Sequence, residues 1–128
     1  MKLVTPVLVL SGVTAYAHHN IERTYDLKKE VKVEGKIISV LLRNPQSFLQ
    51  IEVPDQDGKM QLWSLEFPKG ANSLLKQGIR PGTLKMGDRL IITMNPSWKL
   101  GDKRGNMVTL HREPDGFEWS AKMKRTQS

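Results

Sequence analysis

The amino-acid sequence predicts an all-β domain with one short helix, folded as a five-stranded OB-like small barrel with the helix between strands 3 and 4. Three observations support this class. Apolar residues alternate in several short segments, one helical segment interrupts them in mid-chain, and a glycine lies inside a long first strand. Barrels of this class bind ligands across their second and third strands and between their loops. A small split barrel of another topology is the alternative.

Residues 28–42 form the predicted first strand. Its apolar residues share one side of the strand: Val31, Val33, Ile37 and Leu41. Charged residues lie on the opposite side: Lys32, Glu34 and Lys36. Gly35 interrupts this strand. A glycine inside a strand marks a bulge or a sharp bend, which a strand needs when it curls round a small barrel and joins both halves.

Residues 48–53 and 60–67 form a predicted hairpin, preceded by a turn signal at residues 43–45. In the first strand of the hairpin, Leu49, Ile51 and Val53 lie on one face. The residues between them, Phe48, Gln50 and Glu52, lie on the other face. The intervening turn contains Asp57-Gly58, a pair that favours a tight reversal. The spacing therefore predicts two antiparallel neighbours.

A short helix is predicted through Leu74, Leu75 and Lys76. Asn72 or Ser73 is the expected N-terminal cap because short polar side chains accept hydrogen bonds from the first free N–H groups. Gly78 is the expected stop, since glycine follows helix ends readily.

Two further strands complete the predicted barrel. Residues 89–95 are apolar and β-branched, and Pro96 ends their hydrogen-bonding run. A loop rich in Gly and Lys at residues 97–106 leads to the last strand at residues 107–112, with an extension at residues 117–119.

The first 17 residues have the pattern of a signal peptide. Lys2 precedes an apolar run at residues 3–13, and a small-x-small site follows at residues 15–17. We expect cleavage after Ala17, a periplasmic location and no transmembrane segment in the cleaved chain. A membrane anchor is the alternative, but Pro6 breaks the run, and a spanning helix needs about 20 consecutive apolar residues.

This cleavage defines the predicted organisation. The parts are residues 1–17 as signal peptide, 18–27 as N-terminal arm, 28–120 as barrel domain and 121–128 as a frayed basic tail. Removing 17 of 128 residues leaves 111, enough for one domain with one modest core. The chain contains no cysteine, which excludes disulfides, thiolate metal sites and cysteine nucleophiles.

The formal net charge of +7 does not indicate a nucleic-acid footprint. Basic residues are scattered along the chain instead of forming one stripe, as on a solvated surface. The densest group lies in the tail, at Lys122, Lys124 and Arg125. No nucleic-acid partner is therefore expected.

A copper site is the sharpest chemical prediction. Cleavage after Ala17 makes His18 the first residue, so that its amine and imidazole chelate one ion together, with His111 as a remote third ligand. Nitrogen ligands of this kind suit Cu(II). A second arrangement uses His19 without His111. The structural alternatives are a frayed terminus and an ordinary strand histidine.

A polar and aromatic set forms a second candidate site, this one for a ligand. Its members are Arg43, Asn44, Gln46, Trp63, Glu66 and Trp98. In an OB-like barrel several of these side chains lie near the sheet face or its edge, where they can hold a sugar or a peptide. The structural alternatives are a turn built by Asn44-Pro45, a core position for Trp63, and pairing of Glu66 with Arg43 or loop amides.

The sequence does not favour an enzyme. Two of the three histidines lie at the predicted mature terminus, and no serine has the Gly-x-Ser-x-Gly context of an exposed nucleophile. The pair Asp55 and Asp57 falls in a predicted tight turn, where aspartate bonds its own backbone.

Several short motifs together resemble an exported bacterial family listed as domain of unknown function 6152. They are Ala17-His18-His19, Arg43-Asn44-Pro45, Trp63-Ser64-Leu65-Glu66, Asn72-Ser73-Leu74, Gly78, Leu84-Lys85 and Gly87-Asp88. The resemblance covers residues 18–115 and implies export and a barrel, without an activity. Members often have histidine after the Asn-Pro pair, where this chain has Gln46, so a metal role for that position does not carry over.

The sequence thus predicts a periplasmic binding or accessory module that binds copper through His18. The alternative is a recognition domain that contacts a cell-envelope protein or glycan through the barrel face. Binding of single-stranded nucleic acid is a distant third, because the export signal argues against it and few aromatic side chains are expected to be exposed.

Overall fold

A computed structural model describes residues 21–124 of the chain as six β-strands and one α-helix. The elements are β1 (Val31–Leu41), β2 (Phe48–Pro54), β3 (Met60–Glu66), α1 (Ala71–Lys76), β4 (Arg89–Pro96), β5 (Arg104–Arg112) and β6 (Phe117–Ser120). A helical turn at residues 21–24 precedes them.

Five of the strands close into a barrel. The sheet order is β3-β2-β1-β4-β5, and β3 pairs with β5 to close it. The closing pair is parallel, from Ser64 opposite Arg104 to Glu66 opposite Asn106, and every other pair is antiparallel. The helix α1 lies between β3 and β4 in the chain, so the predicted OB-like order is confirmed.

The first strand takes part in both halves of the barrel, as its glycine predicted. Its first half pairs with β4 and its second half with β2. An added Cβ at Gly35 would lie 2.5 Å from the backbone oxygen of Glu52, so only glycine allows this approach. Hydrogen bonding is irregular between Ile37 and Ser39, which shifts the side-chain alternation by one residue.

This irregularity corrects one prediction. Leu41, expected on the buried side, is 47% exposed. Val40 packs against the core in its place. Simple alternation cannot anticipate the change, because an extra residue in one strand exchanges the two faces beyond it.

The core fills the inside of the barrel with side chains from all five barrel strands. Its most buried members include Ile37, Leu49, Ile51, Leu65, Leu90, Ile92, Met94, Met107 and Leu110. Gly105 lies against the Met94 side chain, where any larger residue would collide. Glycine at this position therefore makes room for the buried Met94 side chain between β4 and β5.

Helix α1 is capped by a side chain from another part of the chain. The residue before the helix is Gly70, which provides no side-chain cap. Instead, Asn44 Oδ1 accepts a hydrogen bond of 3.1 Å from the Asn72 N–H. The predicted caps Asn72 and Ser73 are wrong because both already lie inside the helix. The helix stops where predicted, with Gly78 in the left-handed conformation at φ +97°.

We expect Asn44→Ala to lower the free energy of unfolding by about 0.5–2 kcal/mol, because a free helix N–H loses its acceptor. Asn72→Ala, which changes the residue that the sequence indicated, should have a much smaller effect. Urea denaturation of both variants measures the difference. A larger loss in Asn72→Ala would contradict this assignment of the cap.

The residues after β5, including β6 and residues 121–123, pack against the barrel. β6 pairs antiparallel with β5, and Trp119 is 1% exposed. The Ala121 N–H donates to the Val108 carbonyl, and Met123 packs against the core. The prediction of a frayed end from residue 121 is therefore wrong for residues 121–123.

Candidate ligand-binding groove

An N-terminal segment at residues 21–30 lies across one end of the barrel. Tyr25 in this segment is 3% exposed, and its hydroxyl donates a hydrogen bond of 2.8 Å to Glu66 Oε1. Burial, assisted by the Glu66 carboxylate, raises the pKa of Tyr25 well above its usual value, so the hydroxyl keeps its proton and remains a donor. The Asp26 N–H donates to the Pro96 carbonyl at 2.8 Å.

The same segment holds Trp98 in place. The indole Nε1–H donates a hydrogen bond of 2.7 Å to the Glu22 carbonyl, and the Trp98 backbone N–H donates to the Thr24 carbonyl at 3.1 Å. Even so, Trp98 remains 60% exposed. The two bonds therefore hold the indole ring in one orientation at the surface. The indole Nε1–H, its one polar group, already has a hydrogen-bond acceptor.

The loop between β4 and β5, residues 97–103, is braced by a small polar network. Asp102 Oδ2 accepts hydrogen bonds from Arg104 Nε at 2.8 Å and from Ser97 Oγ at 2.9 Å. These bonds, led by that from Arg104, lower the pKa of Asp102. The Ser64 N–H also donates to the Lys103 carbonyl, which ties the loop to β3.

A groove of about 320 Å³ lies between this loop, the N-terminal segment and the barrel end. It is lined by Trp63, Trp98, Leu100, Pro96, Ser97 and Gly101, and by the charged side chains Asp26, Lys29, Lys99, Asp102 and Lys103. A second hollow of about 440 Å³, lined by Glu22, Tyr25, Asp26, Leu27 and Lys28, reaches the same indole. We call the first of these the Trp98 groove.

The sequence profile of one family matches residues 7–108 and so spans the groove. It is described as a family of unknown function, DUF6152. The chain belongs to this family. The predicted resemblance is thereby confirmed, and β6 lies beyond the matched residues. Searches of curated proteins and of solved structures showed no match to this chain. Membership of DUF6152 supplies no activity.

The structure of this DUF6152 domain divides the predicted ligand set. Trp63 and Trp98 both line the groove. The structural alternative for Trp63 was a core position, and this side chain is in fact half-buried and packs against the edge of the core. Glu66 lies nearby on β3, but its Oε1 accepts from Tyr25.

The other three members of that set belong to the loop between β1 and β2 and do not line the Trp98 groove. Arg43 Nε donates to the Gln46 carbonyl at 3.3 Å, and its guanidinium lies 5.5 Å from the centre of the Phe48 ring. Asn44 caps helix α1. These contacts order the loop between β1 and β2 and position helix α1 against it.

The groove residues that sequence reasoning missed carry no periodic signal. Tyr25, which lines the neighbouring hollow, lies in the predicted arm, where a single aromatic residue gives no indication of burial. Lys99, Leu100 and Lys103 lie in a loop for which the sequence indicates only a high Gly and Lys content. Loops at this position contribute to ligand binding in OB barrels, and that is the signal that could have identified them.

The outer face of β1, β2 and β3 carries a chain of neutral polar side chains at its centre. Ser39 Oγ donates to Gln50 Oε1 at 3.0 Å, and Gln50 Nε2 donates to Ser64 Oγ at 3.4 Å. Glu52 and Glu66 flank this chain of neutral side chains.

The predicted metal ligands are only partly within the described residues. His18 and His19 lie outside residues 21–124. His111 Nδ1 lies 3.2 Å from Glu118 Oε1 on β6. His111 is seven residues along β5 from Arg104, about 23 Å at about 3.3 Å per residue. Within residues 21–124, no three His, Asp or Glu side chains form a group that could hold a metal ion.

The part of this DUF6152 chain that the structure describes contains no helix of the length and apolar character needed to cross a membrane.

Proposed function

We propose that this DUF6152 chain is a non-catalytic binding module of the periplasm, and that it holds its ligand in the Trp98 groove. The observation that carries the proposal is the 60% exposure of Trp98, an indole that the fold keeps in one orientation. Large aromatic side chains are usually buried, and an exposed one beside a concave surface is typical of a binding site.

The arrangement of the groove supports binding in two ways. The bonds from Trp98 to Glu22 and Thr24 order the indole before any ligand arrives, so little side-chain entropy is lost on binding. Trp63 and Leu100 add apolar surface beside it, and the charged groups can orient a ligand. This is the usual composition of a small-ligand site, with an apolar lining and a few placed polar groups.

We expect Trp98→Ala to weaken ligand binding about 5- to 150-fold, since stacking on an aromatic side chain contributes about 1–3 kcal/mol. Titration of the ¹⁵N-labelled protein with purified glycan and peptide fragments of the cell envelope, followed by NMR, measures both affinity and location. Shifts should concentrate at residues 26–29 and 97–103.

Two variants serve as controls. Trp98→Phe keeps an aromatic plane but loses the Nε1–H bond to Glu22, so its affinity should lie between those of Trp98→Ala and the unchanged protein. Leu62→Ala removes an exposed apolar side chain from the outer face of β3 and should change nothing. Shifts centred on that outer face, or full binding by Trp98→Ala, would disprove the groove as the site.

Copper binding at the predicted mature terminus is the second candidate function. It is favoured by the position of His18 and His19 directly after the predicted cleavage site. Because His111 lies at the end of β5 remote from Arg104, whereas Glu22 is bonded to Trp98 in the loop that leads into β5, we propose the arrangement that omits His111.

We expect tight one-to-one Cu(II) binding by the cleaved protein and none after one alanine is added before His18. His111→Ala should leave the affinity unchanged. Calorimetric titration of protein whose terminus has been verified by mass spectrometry tests both statements. Equal weak binding with and without the added alanine would rule this function out.

A further inference from the structure

We infer that the ligand of the Trp98 groove is an acidic glycan, a sugar chain that carries carboxylates. This inference rests on the proposed function and names the ligand class for the same site. Three properties of the groove carry it: the kind of aromatic surface offered, the state of its charges, and the pairing of the strands beside it.

The aromatic surface suits a sugar ring. Because the Nε1–H of Trp98 is bonded to the Glu22 carbonyl, the indole offers a ligand its flat faces and not its donor. The C–H faces of a pyranose are flat and apolar and pack on such a plane, while the hydroxyls around the ring need polar partners at its edge. Lys29, Lys99 and Asp26 line the same groove and can supply such partners.

The charges of the groove favour an anion. Three lysines and two aspartates line it, a formal balance of +1. Asp102 is paired with the Arg104 guanidinium at 2.8 Å, so these two charges largely offset each other. Asp26 Oδ1 accepts from the Lys28 N–H, which orients this carboxylate but leaves its charge. Three lysines and one carboxylate then remain, so the net field that a ligand meets is positive.

Two of the strands beside the groove are closed to an added peptide strand. Extended peptides commonly bind by adding a strand to a free sheet edge. β4 pairs with β5 and, up to Met94, with β1, and the start of β5 pairs with both β3 and β4. Residues 60–63 of β3 pair with β2, whereas the pairing of β3 with β5 begins only at Ser64. A peptide strand would therefore have to add to this short part of β3.

Calorimetric titration with defined oligosaccharides tests the inference. The probes are tetramers of galacturonate and of mannuronate, the matching neutral tetramers of galactose and of mannose, a ten-residue oligo-dT and hexaglutamate. We expect at least one acidic tetramer to bind at least tenfold more tightly than its neutral counterpart, with the difference lost near 1 M salt, where the Debye length falls to about 3 Å.

Variants separate stacking from charge. Trp98→Ala should weaken binding of acidic and neutral tetramers alike, whereas Trp98→Phe, which keeps an aromatic plane without the bond to Glu22, should weaken both less. Changing Lys29 and Lys99 together to Gln should reduce binding of the acidic tetramer about tenfold and leave the neutral one unchanged. Lys59→Gln, in the turn between β2 and β3, is the matched control and should have no effect.

Each other result overturns the inference. Equal binding of acidic and neutral tetramers removes the role of charge. Binding of hexaglutamate or oligo-dT, but of no sugar, in a manner that depends on Trp98 replaces the ligand class and leaves the proposed site standing. Binding of none of these probes rejects an acidic glycan, while the titration with envelope fragments still decides separately whether the groove is a binding site.

Discussion

Trp119→Ala is expected to lower the free energy of unfolding by about 3–5 kcal/mol, the range for removal of a large buried aromatic side chain. Trp119 is 1% exposed and makes an edge-to-face contact with Phe67, with ring centres 5.2 Å apart. Its indole N–H donates to Gln77 Oε1 at 3.0 Å in the interior. The substitution therefore creates a cavity and also removes a hydrogen bond.

The buried bond accounts for part of this expected loss. Gln77 Nε2 donates to the Met123 carbonyl at 2.9 Å, so the amide links the end of helix α1 to the chain beyond β6. Without Trp119, the Gln77 oxygen is left buried and unpaired, which costs about 1–3 kcal/mol. Trp119→Phe keeps most of the volume and isolates this contribution.

Chemical denaturation of Trp119→Ala and Phe117→Ala provides the measurement and its control. Phe117 lies on the same strand but is half-buried, with the Arg112 guanidinium 5.1 Å from its ring centre. Its removal should cost much less. A loss below about 1 kcal/mol in Trp119→Ala would show that β6 is an appendage to the barrel and not part of its core.

Gly35→Val is expected to destabilise the fold by about 3 kcal/mol, at the upper end of the range for overpacking. An added Cβ would lie 2.5 Å from the Glu52 backbone oxygen and 2.9 Å from a Val53 methyl group. A backbone oxygen in a paired strand cannot move aside without loss of ladder hydrogen bonds. The first strand would have to straighten at the point where it passes from one half of the barrel to the other.

A second substitution distinguishes the two obstacles. Val53→Ala removes the methyl contact but leaves the Glu52 oxygen in place, so it should not rescue Gly35→Val. Thermal and urea unfolding of the single and double variants give the comparison. Full rescue would show that the side chain, and not the backbone, makes glycine necessary here.

The sequence was informative about the fold because each barrel strand has its own local pattern. Alternation located β2 and β3 closely, and Gly35 correctly marked the bend in β1. Sequence patterns failed where a contact depends on distant parts of the chain. β5 begins at Arg104, three residues before the prediction, because residues 104–106 pair in parallel with β3, and no period in the loop records that pairing.

The same limit applies to the site. The sequence indicates both Trp63 and Trp98, but their meeting at one groove depends on the closure of the barrel. Asn44, which the sequence predicts as a ligand-binding or turn residue, caps helix α1 through Asn72, 28 positions away. Tyr25 gave no signal, since its burial depends on Glu66 and on the end of β4.

The two hydrogen bonds that orient Trp98 end on backbone carbonyls, at Glu22 and Thr24, and every amino acid has a backbone carbonyl. Substitutions at these two positions can thus accumulate without turning the indole. A one-residue insertion or deletion between them would displace one acceptor by a full step along the chain. The orientation of the Trp98 ring therefore depends on the number of residues in this segment and not on the identity of their side chains.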